Sequence, residues 1–257
     1  MKNISNTTEF KKTTMSQVSA RAIRRITADI KEYRSNPIPG TAVYQCENPI
    51  TRVYVAIAGP NDSVYQNGIY FFQFDFTNDY PHEPPKGTFL NWQNTTMRMH
   101  PNMYTSGKLC LSILGTWTGP GWTSAMGLNT IILTIQSILD DNPLKNEPGY
   151  ENNTKSKDHL TYSQIVKYYN YKDFVTKTLK TTLEKPPSEE HYTSYFNEFI
   201  TTYYKDTHQT VTDEINKMFK TNPDEMKLIV GYQNTECVMN TGKLVQEWAE
   251  TVKRFIS

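Results

Sequence analysis

Apolar residues recur at spacings of three and four at Ile23, Ile26, Ile30 and Tyr33, a period that predicts an amphipathic helix over 16–35. Ser16 is its candidate cap, and Asn36-Pro37-Ile38-Pro39-Gly40 ends it, since no helix enters such a stretch. The pattern then turns β-like. Segments 41–46 and 52–58 are rich in β-branched and aromatic residues, and Gly68 opens a third strand over 69–76. In that strand Tyr70, Phe72, Phe74 and Phe76 share one face, with Gln73 and Asp75 on the other. Such short connections predict an antiparallel meander, completed by a fourth strand at 87–91. Before it, the three prolines of Tyr80-Pro81-His82-Glu83-Pro84-Pro85-Lys86 exclude regular structure and fix a rigid loop.

Farther on, 124–139 carries Met126, Leu128, Ile131, Ile132, Leu133, Ile135, Ile138 and Leu139. Apolar on nearly all sides, it predicts a central buried helix. Beyond about residue 152 the chain reads as helical and more polar. Ile165, Val166, Tyr169, Phe174, Val175, Leu179 and Leu183 keep helical spacing up to Pro186-Pro187. Tyr192, Tyr195, Phe196, Phe199, Ile200, Tyr203 and Tyr204 then form an aromatic stripe, and Leu244, Trp248, Val252 and Phe255 share one face of a last helix. These stripes read as packing surfaces rather than as a docking groove. The fold class is α+β, with a helical carboxy-terminal extension.

Composition narrows the function. A chain of 257 residues holds one ordinary domain plus an extension, or two small domains. Lys+Arg 27 against Asp+Glu 26 leaves a net charge of +1, which argues against nucleic acid or an anionic membrane as partner. No stretch approaches the roughly 20 apolar residues of a membrane span. Residues 1–15 are polar, lack the apolar centre of a secretory signal, and read as a disordered lead. Cys46, Cys110 and Cys237 are odd in number and lack metal-type spacing, which argues against a disulfide framework and a zinc site. No metal or cofactor is expected. Free thiols suit a reducing intracellular compartment, the cytoplasm or nucleus.

Chemistry concentrates in His100-Pro101-Asn102-Met103-Tyr104-Thr105-Ser106-Gly107-Lys108-Leu109-Cys110-Leu111-Ser112-Ile113-Leu114. Cys110 is nucleophile-grade, and Asn102, eight positions before it, carries an amide that could donate to an oxyanion. The plain alternative is that a cysteine beside leucines is a small buried hydrophobe. Asn102 has its own plain role, tying down its loop. Taken whole, the His-Pro-Asn triplet with Tyr104, Gly107 and Cys110-Leu111-Ser112-Ile113-Leu114 resembles the active-site signature of ubiquitin-conjugating enzymes. The proline loop and Trp122 fit the same family, although Trp122 follows the cysteine by twelve residues where eight is usual. The longer loop 115–121, with Asn146-Glu147-Pro148-Gly149-Tyr150-Glu151, is similar to the large-class, Z-type conjugating enzymes.

The resemblance implies a division into a lead (1–15), a ubiquitin-conjugating core (16–170) and a helical extension (171–257). It implies that Cys110 accepts ubiquitin or a ubiquitin-like modifier from an activating enzyme and passes it to a substrate lysine or a ligase cysteine. His100 and Pro101 then form a structural turn rather than a general base. Asp140, Asp141 and Asn146 are candidates for a gate that receives the lysine, with Asn146 ranked first. The basic face of the first helix, Arg21, Arg24 and Arg25, would dock the activating enzyme. Pro81, His82, Thr123, Ser124 and Ala125 would face a ubiquitin ligase, although His82 and Ser124 replace a phenylalanine and a proline common there. A non-catalytic ubiquitin-binding scaffold of the same fold is the alternative. A Cys–His hydrolase fits poorly, since His100 sits in a proline-fixed turn.

Overall fold

The computed structural model describes residues 18–91, 95–184 and 192–257. The expected lead, the Ser16 cap and Pro186-Pro187 lie outside them. Helix α1 spans Ala20–Ser35 and begins later than its period predicts. The cap is Ser19, whose Oγ accepts from the Ala22 N–H at 3.1 Å and donates to the Asn78 carbonyl at 2.7 Å. Ile26, Ile30 and Tyr33 turn inward as their spacing requires.

Four strands follow in meander order: β1 (Thr41–Gln45), β2 (Arg52–Ala58), β3 (Ile69–Asp75) and β4 (Lys86–Phe89), each antiparallel to the next. Val53, Val55 and Ile57 pair with Phe74, Phe72 and Tyr70, which places the large apolar residues on one face. The opposite face differs from expectation. Ile69 and Phe71 are as buried as their neighbours, because the carboxy-terminal extension covers them. Tyr195 stacks on Tyr44 with ring centroids 3.7 Å apart, Tyr192 stacks on Tyr54 at 5.6 Å, and Phe196 meets Phe71 at 5.7 Å. The aromatic stripe is a packing surface, and what it packs on is this sheet.

Helix α2 (Leu128–Ile138) is shorter than expected and has an exposed side: Leu133 is 53% accessible. Its start is delayed because Arg25 of α1 takes the carbonyls of Ser124 and Met126, both at 2.7 Å, which a longer helix would use internally. Arg25 also pairs with Asp29 at 2.8 Å, and the Tyr80 hydroxyl donates to the other Asp29 oxygen. One buried carboxylate thus fastens α1 to the proline loop and to the entry of α2.

An unbroken helical run then comprises α3 (Lys157–Tyr169), a π-turn over Asn170–Lys177 and α4 (Thr178–Glu184). The expected core boundary at residue 170 falls inside this run. Asn170 is fully buried, accepts from the Tyr70 hydroxyl at 2.7 Å and donates to the Gln66 carbonyl at 2.8 Å. It leaves no room at residue 68, where a Cβ would lie 1.9 Å from its Oδ1, so a glycine is required. After a short 3-10 turn (Tyr192–Phe196) come α5 (Asn197–Thr221), β5 (Met226–Val230), β6 (Thr235–Met239) and α6 (Thr241–Ile256). The β5–β6 hairpin is an element that the sequence reading did not foresee. Its alternation is present: Val230, Cys237 and Met239 are buried, while Ile229 and Val238 face out.

Truncation after Glu184 should uncover the Phe71 face of the sheet. Large buried aromatics contribute about 3–5 kcal/mol each when removed, so a fragment of residues 18–184 should melt well below the full chain and aggregate. A fragment with an unchanged melting temperature would show that the extension contributes no stability to the sheet.

Candidate active site

The segment from His100 to Cys110 is fastened to the free edge of β4. Thr88 bridges to Lys108, the Phe89 N–H donates to the Gly107 carbonyl at 2.9 Å, and Met103 bridges to Leu109. Gly107 makes the tight return with φ at +91°, a conformation that favours glycine. Met103 and Leu109 drop into the core beneath, so the segment has a fixed register.

Two hydrogen bonds of opposite sense join the ends of this segment. The Cys110 N–H donates to the Asn102 carbonyl at 2.9 Å, and Asn102 Nδ2 donates to the Cys110 carbonyl at 2.7 Å. Asn102 is buried, and its Oδ1 has no hydrogen-bond partner among the described residues. The Asn102 N–H donates in turn to His100 Nδ1 at 2.9 Å. With that nitrogen accepting, the neutral ring carries its proton on Nε2, which donates to the Ile138 carbonyl, while Asn146 Nδ2, itself a donor, lies 3.3 Å away. Complete burial pushes the His100 pKa down to about 3, with the Ile138 carbonyl opposing and Arg98 and Lys145 adding to the effect. Neither ring nitrogen is free to receive a proton from the cysteine.

Cys110 is a free thiol and only 1% exposed. Thr116 closes the turn after it: its hydroxyl accepts from the Leu111 N–H at 2.9 Å and donates to the Leu109 carbonyl at 2.8 Å. The loop 115–121 is exposed except for half-buried Trp117, and folds back until a Cβ at Gly119 would come within 3.0 Å of Ser112. Lys108, the cation next to the cysteine in sequence, directs its ammonium over the Tyr104 ring at 5.3 Å.

Of the three gate candidates, Asn146 is the one that lies against the His100 ring, its Nδ2 3.3 Å from Nε2. It sits at the end of a 3-10 turn over Pro143–Asn146 and also donates to the Pro143 carbonyl at 3.2 Å. Asp140 is engaged, accepting from the Asn142 N–H at 2.8 Å and pairing with Lys145 at 2.8 Å. Asp141 is exposed.

On the opposite flank, Arg21 and Arg24 are exposed, whereas the Arg25 guanidinium is spent on Asp29, Ser124 and Met126. Arg25 is therefore a brace inside the fold and offers less to a partner than the other two. His82 is exposed and joins two elements: Nε2 meets Arg21 at 3.0 Å and Nδ1 meets the Ser124 hydroxyl at 3.2 Å. Thr123 and Ala125 are exposed beside it, and Pro81 accepts from Trp122 Nε1 at 2.7 Å. These residues form one continuous surface over α1, the proline loop and the turn before α2.

Sequence reasoning missed Thr116 and Arg98. Arg98 donates to the Pro101 carbonyl and lies 3.7 Å from the Tyr104 ring centroid, clasping the His-Pro-Asn turn from behind. Its only signal was a cation two residues before the triplet.

A four-stranded antiparallel meander under α1, with a cysteine braced by a His-Pro-Asn turn, defines a domain of the ubiquitin-conjugating type. The profile for the ubiquitin-conjugating enzyme family matches residues 25–170, and the chain belongs to that family. It is similar to Ubiquitin-conjugating enzyme E2 Z of Xenopus tropicalis, 34% identical over 186 residues, covering 70% of this chain and 59% of that protein. Human Ubiquitin-conjugating enzyme E2 Z is 36% identical over 152 residues, 59% of this chain and 43% of its own length. A ubiquitin-conjugating enzyme of African swine fever virus is 32% identical over 168 residues, 63% of this chain and 73% of the viral one. The chain thus spans little more than half the length of the Xenopus relative.

The buried neutral ring of His100 has a pH signature. Between pH 6.5 and about 3 the unfolded chain binds a proton on His100 that the folded chain refuses, so its contribution is present above pH 6.5 and lost as the pH falls. From pH 7 to pH 5 the wild type should lose about 2 kcal/mol more stability than His100→Gln, measured by urea unfolding at both values. Parallel losses in the two proteins would contradict a neutral ring.

Proposed function

We propose that this chain accepts ubiquitin or a ubiquitin-like modifier from an activating enzyme as a thioester on Cys110. It then delivers the modifier to a lysine of a substrate protein or to a ligase cysteine. The observation that carries the reading is the reciprocal pairing of Asn102 with Cys110, in a chain that belongs to the family. In the first step Cys110 Sγ attacks the modifier's activated terminal carbonyl and displaces the activating enzyme's thiol. In the second, an amine attacks the thioester carbonyl, loses a proton, and Cys110 leaves as thiolate. Both steps pass through a tetrahedral oxyanion. The Asn102 amide has a second N–H beyond the one given to the Cys110 carbonyl, and this is the donor for that oxyanion. Either step needs the thiol uncovered, since Cys110 is only 1% exposed.

Asn146, at the end of its turn, receives the incoming lysine. Arg21 and Arg24 dock the activating enzyme, and Pro81, His82, Thr123, Ser124 and Ala125 meet a ligase. The compartment is a reducing one, cytoplasm or nucleus, in keeping with a working free thiol.

Incubation with activating enzyme, modifier and ATP should give a band heavier by one modifier that thiol reductant removes. Cys110→Ser should replace it with a reductant-stable oxyester or no adduct, and retained labile charging would move the site elsewhere. No adduct on the wild type across a panel of activating enzymes would favour the ubiquitin-binding scaffold instead.

Asn102→Ala should discharge preformed thioester to free lysine about a hundredfold more slowly, the loss expected for one oxyanion donor. Single-turnover discharge measures this, and a rate within about threefold of wild type would leave Asn102 as a brace alone.

A further inference from the structure

We propose that Tyr232, in the turn of the β5–β6 hairpin, is a positioning residue for transfer from Cys110. It holds the loop that carries Asn146 and Glu147 in register with the His-Pro-Asn segment. The inference rests on the thioester reading and adds to it a working role for the carboxy-terminal extension.

The hairpin turn reaches the rim of the active site. The Tyr232 hydroxyl donates to Glu147 Oε2 at 3.1 Å, one residue after Asn146. Its ring, 4% exposed, makes edge contacts with Tyr150 at 5.8 Å and Tyr162 at 5.2 Å. Its third neighbour is the Arg98 guanidinium, 5.8 Å from the ring centroid, and Arg98 in turn donates to the Pro101 carbonyl. One side chain therefore touches both loops that frame the cysteine: the gate through Glu147 and Tyr150, the triplet through Arg98. Tyr162 ties the same group to α3 by donating to the Arg98 carbonyl at 2.6 Å.

The turn is held to this geometry at a conformational cost. Gln233 and Asn234 both take left-handed backbone, at φ 55° and 48°, although neither is glycine. Gly231 abuts the first turn of α3, where a Cβ would come within 3.0 Å of Asp158. Consecutive left-handed residues persist only where the surroundings impose them, and here they aim Tyr232 at Glu147. A second consequence follows from the fold. Asn146 lies against the His100 ring, and Tyr232 is bonded to Glu147 beside it, so the loop meets the triplet and the extension at adjacent residues.

The hydrogen bond to Glu147 is charge-assisted, and losing it should free the gate loop without emptying the core. Tyr232→Phe keeps the ring and deletes the hydroxyl. It should charge within about twofold of wild type while discharge of preformed thioester to free lysine slows about tenfold, the scale of one hydrogen bond to a charged group. Glu147→Ala should match it, the double variant should be no slower than either single, and Glu147→Gln, which can still accept, should recover most of the rate. The loss should appear in the maximal discharge rate rather than in half-saturation by lysine. Hydrogen exchange of residues 143–151 should be faster in Tyr232→Phe than in wild type. Additive singles, discharge within about twofold of wild type, or charging and discharge slowed alike would overturn the positioning role. A wild type that takes no thioester would instead overturn the function reading. The exchange experiment then decides the inference alone, and unchanged exchange in the gate loop would overturn it.

Discussion

Strand β3 is buried on both faces, and the rest of the molecule is arranged to satisfy that. On one side Tyr70, Phe72 and Phe74 meet Ile57, Val55 and Val53 from β2, and Phe174 of the π-turn stacks on Tyr70 at 4.5 Å. On the other side Phe71 would face water but for Phe196 and Tyr192. A meander of four strands has nothing of its own to cover its second face, and an exposed aromatic face of that kind is unstable in water. The extension closes it. Residues far along the chain are therefore part of the sheet's stability, and the family-matched segment 25–170 is one layer short of the structure in which it sits.

The segment from His100 to Cys110 solves a smaller version of the same problem with polar groups. Buried backbone and side-chain groups must find partners, and between His100 and Cys110 most of them find one another: cysteine to asparagine, asparagine to cysteine and to histidine, with the histidine ring donating to the Ile138 carbonyl. Because burial keeps the imidazole neutral, the chain of bonds has a definite donor and acceptor sense from Asn102 through His100. Among the described residues, Asn102 Oδ1 finds no partner in this arrangement.

Charge plays a bracing part as well. Asp29 is buried against Arg25 and Tyr80, and each partner belongs to or reaches a different element. Removing Arg25 would leave the buried Asp29 carboxylate without its counter-charge, which is destabilising. Arg25 looked from its helical position like one of three equivalent surface cations. Its contacts 99 and 101 residues away set it apart from Arg21 and Arg24.

Local rules were sufficient for much of this. The spacing of Ile26, Ile30 and Tyr33, the alternation through Tyr70, Phe72 and Phe74, and the prolines at 37, 39, 81, 84 and 85 determined α1, the meander and its loops, since each depends on neighbours within a few residues. The cysteine and its triplet were legible as a word, because eight residues of chain hold them at a fixed register. What covered the outer face of the sheet, which arginine turned inward, how deeply Cys110 was buried and where Tyr232 came to rest were decided by the tertiary structure. Each of these is a contact between residues tens to more than a hundred positions apart, and no periodicity in the chain records which distant surface a stripe or a turn will meet. The β5–β6 hairpin marks the boundary between the two. Its five-residue strands alternate correctly, but strands so short are held by what they pack on, here α3 and, through Tyr232, the loop at Glu147.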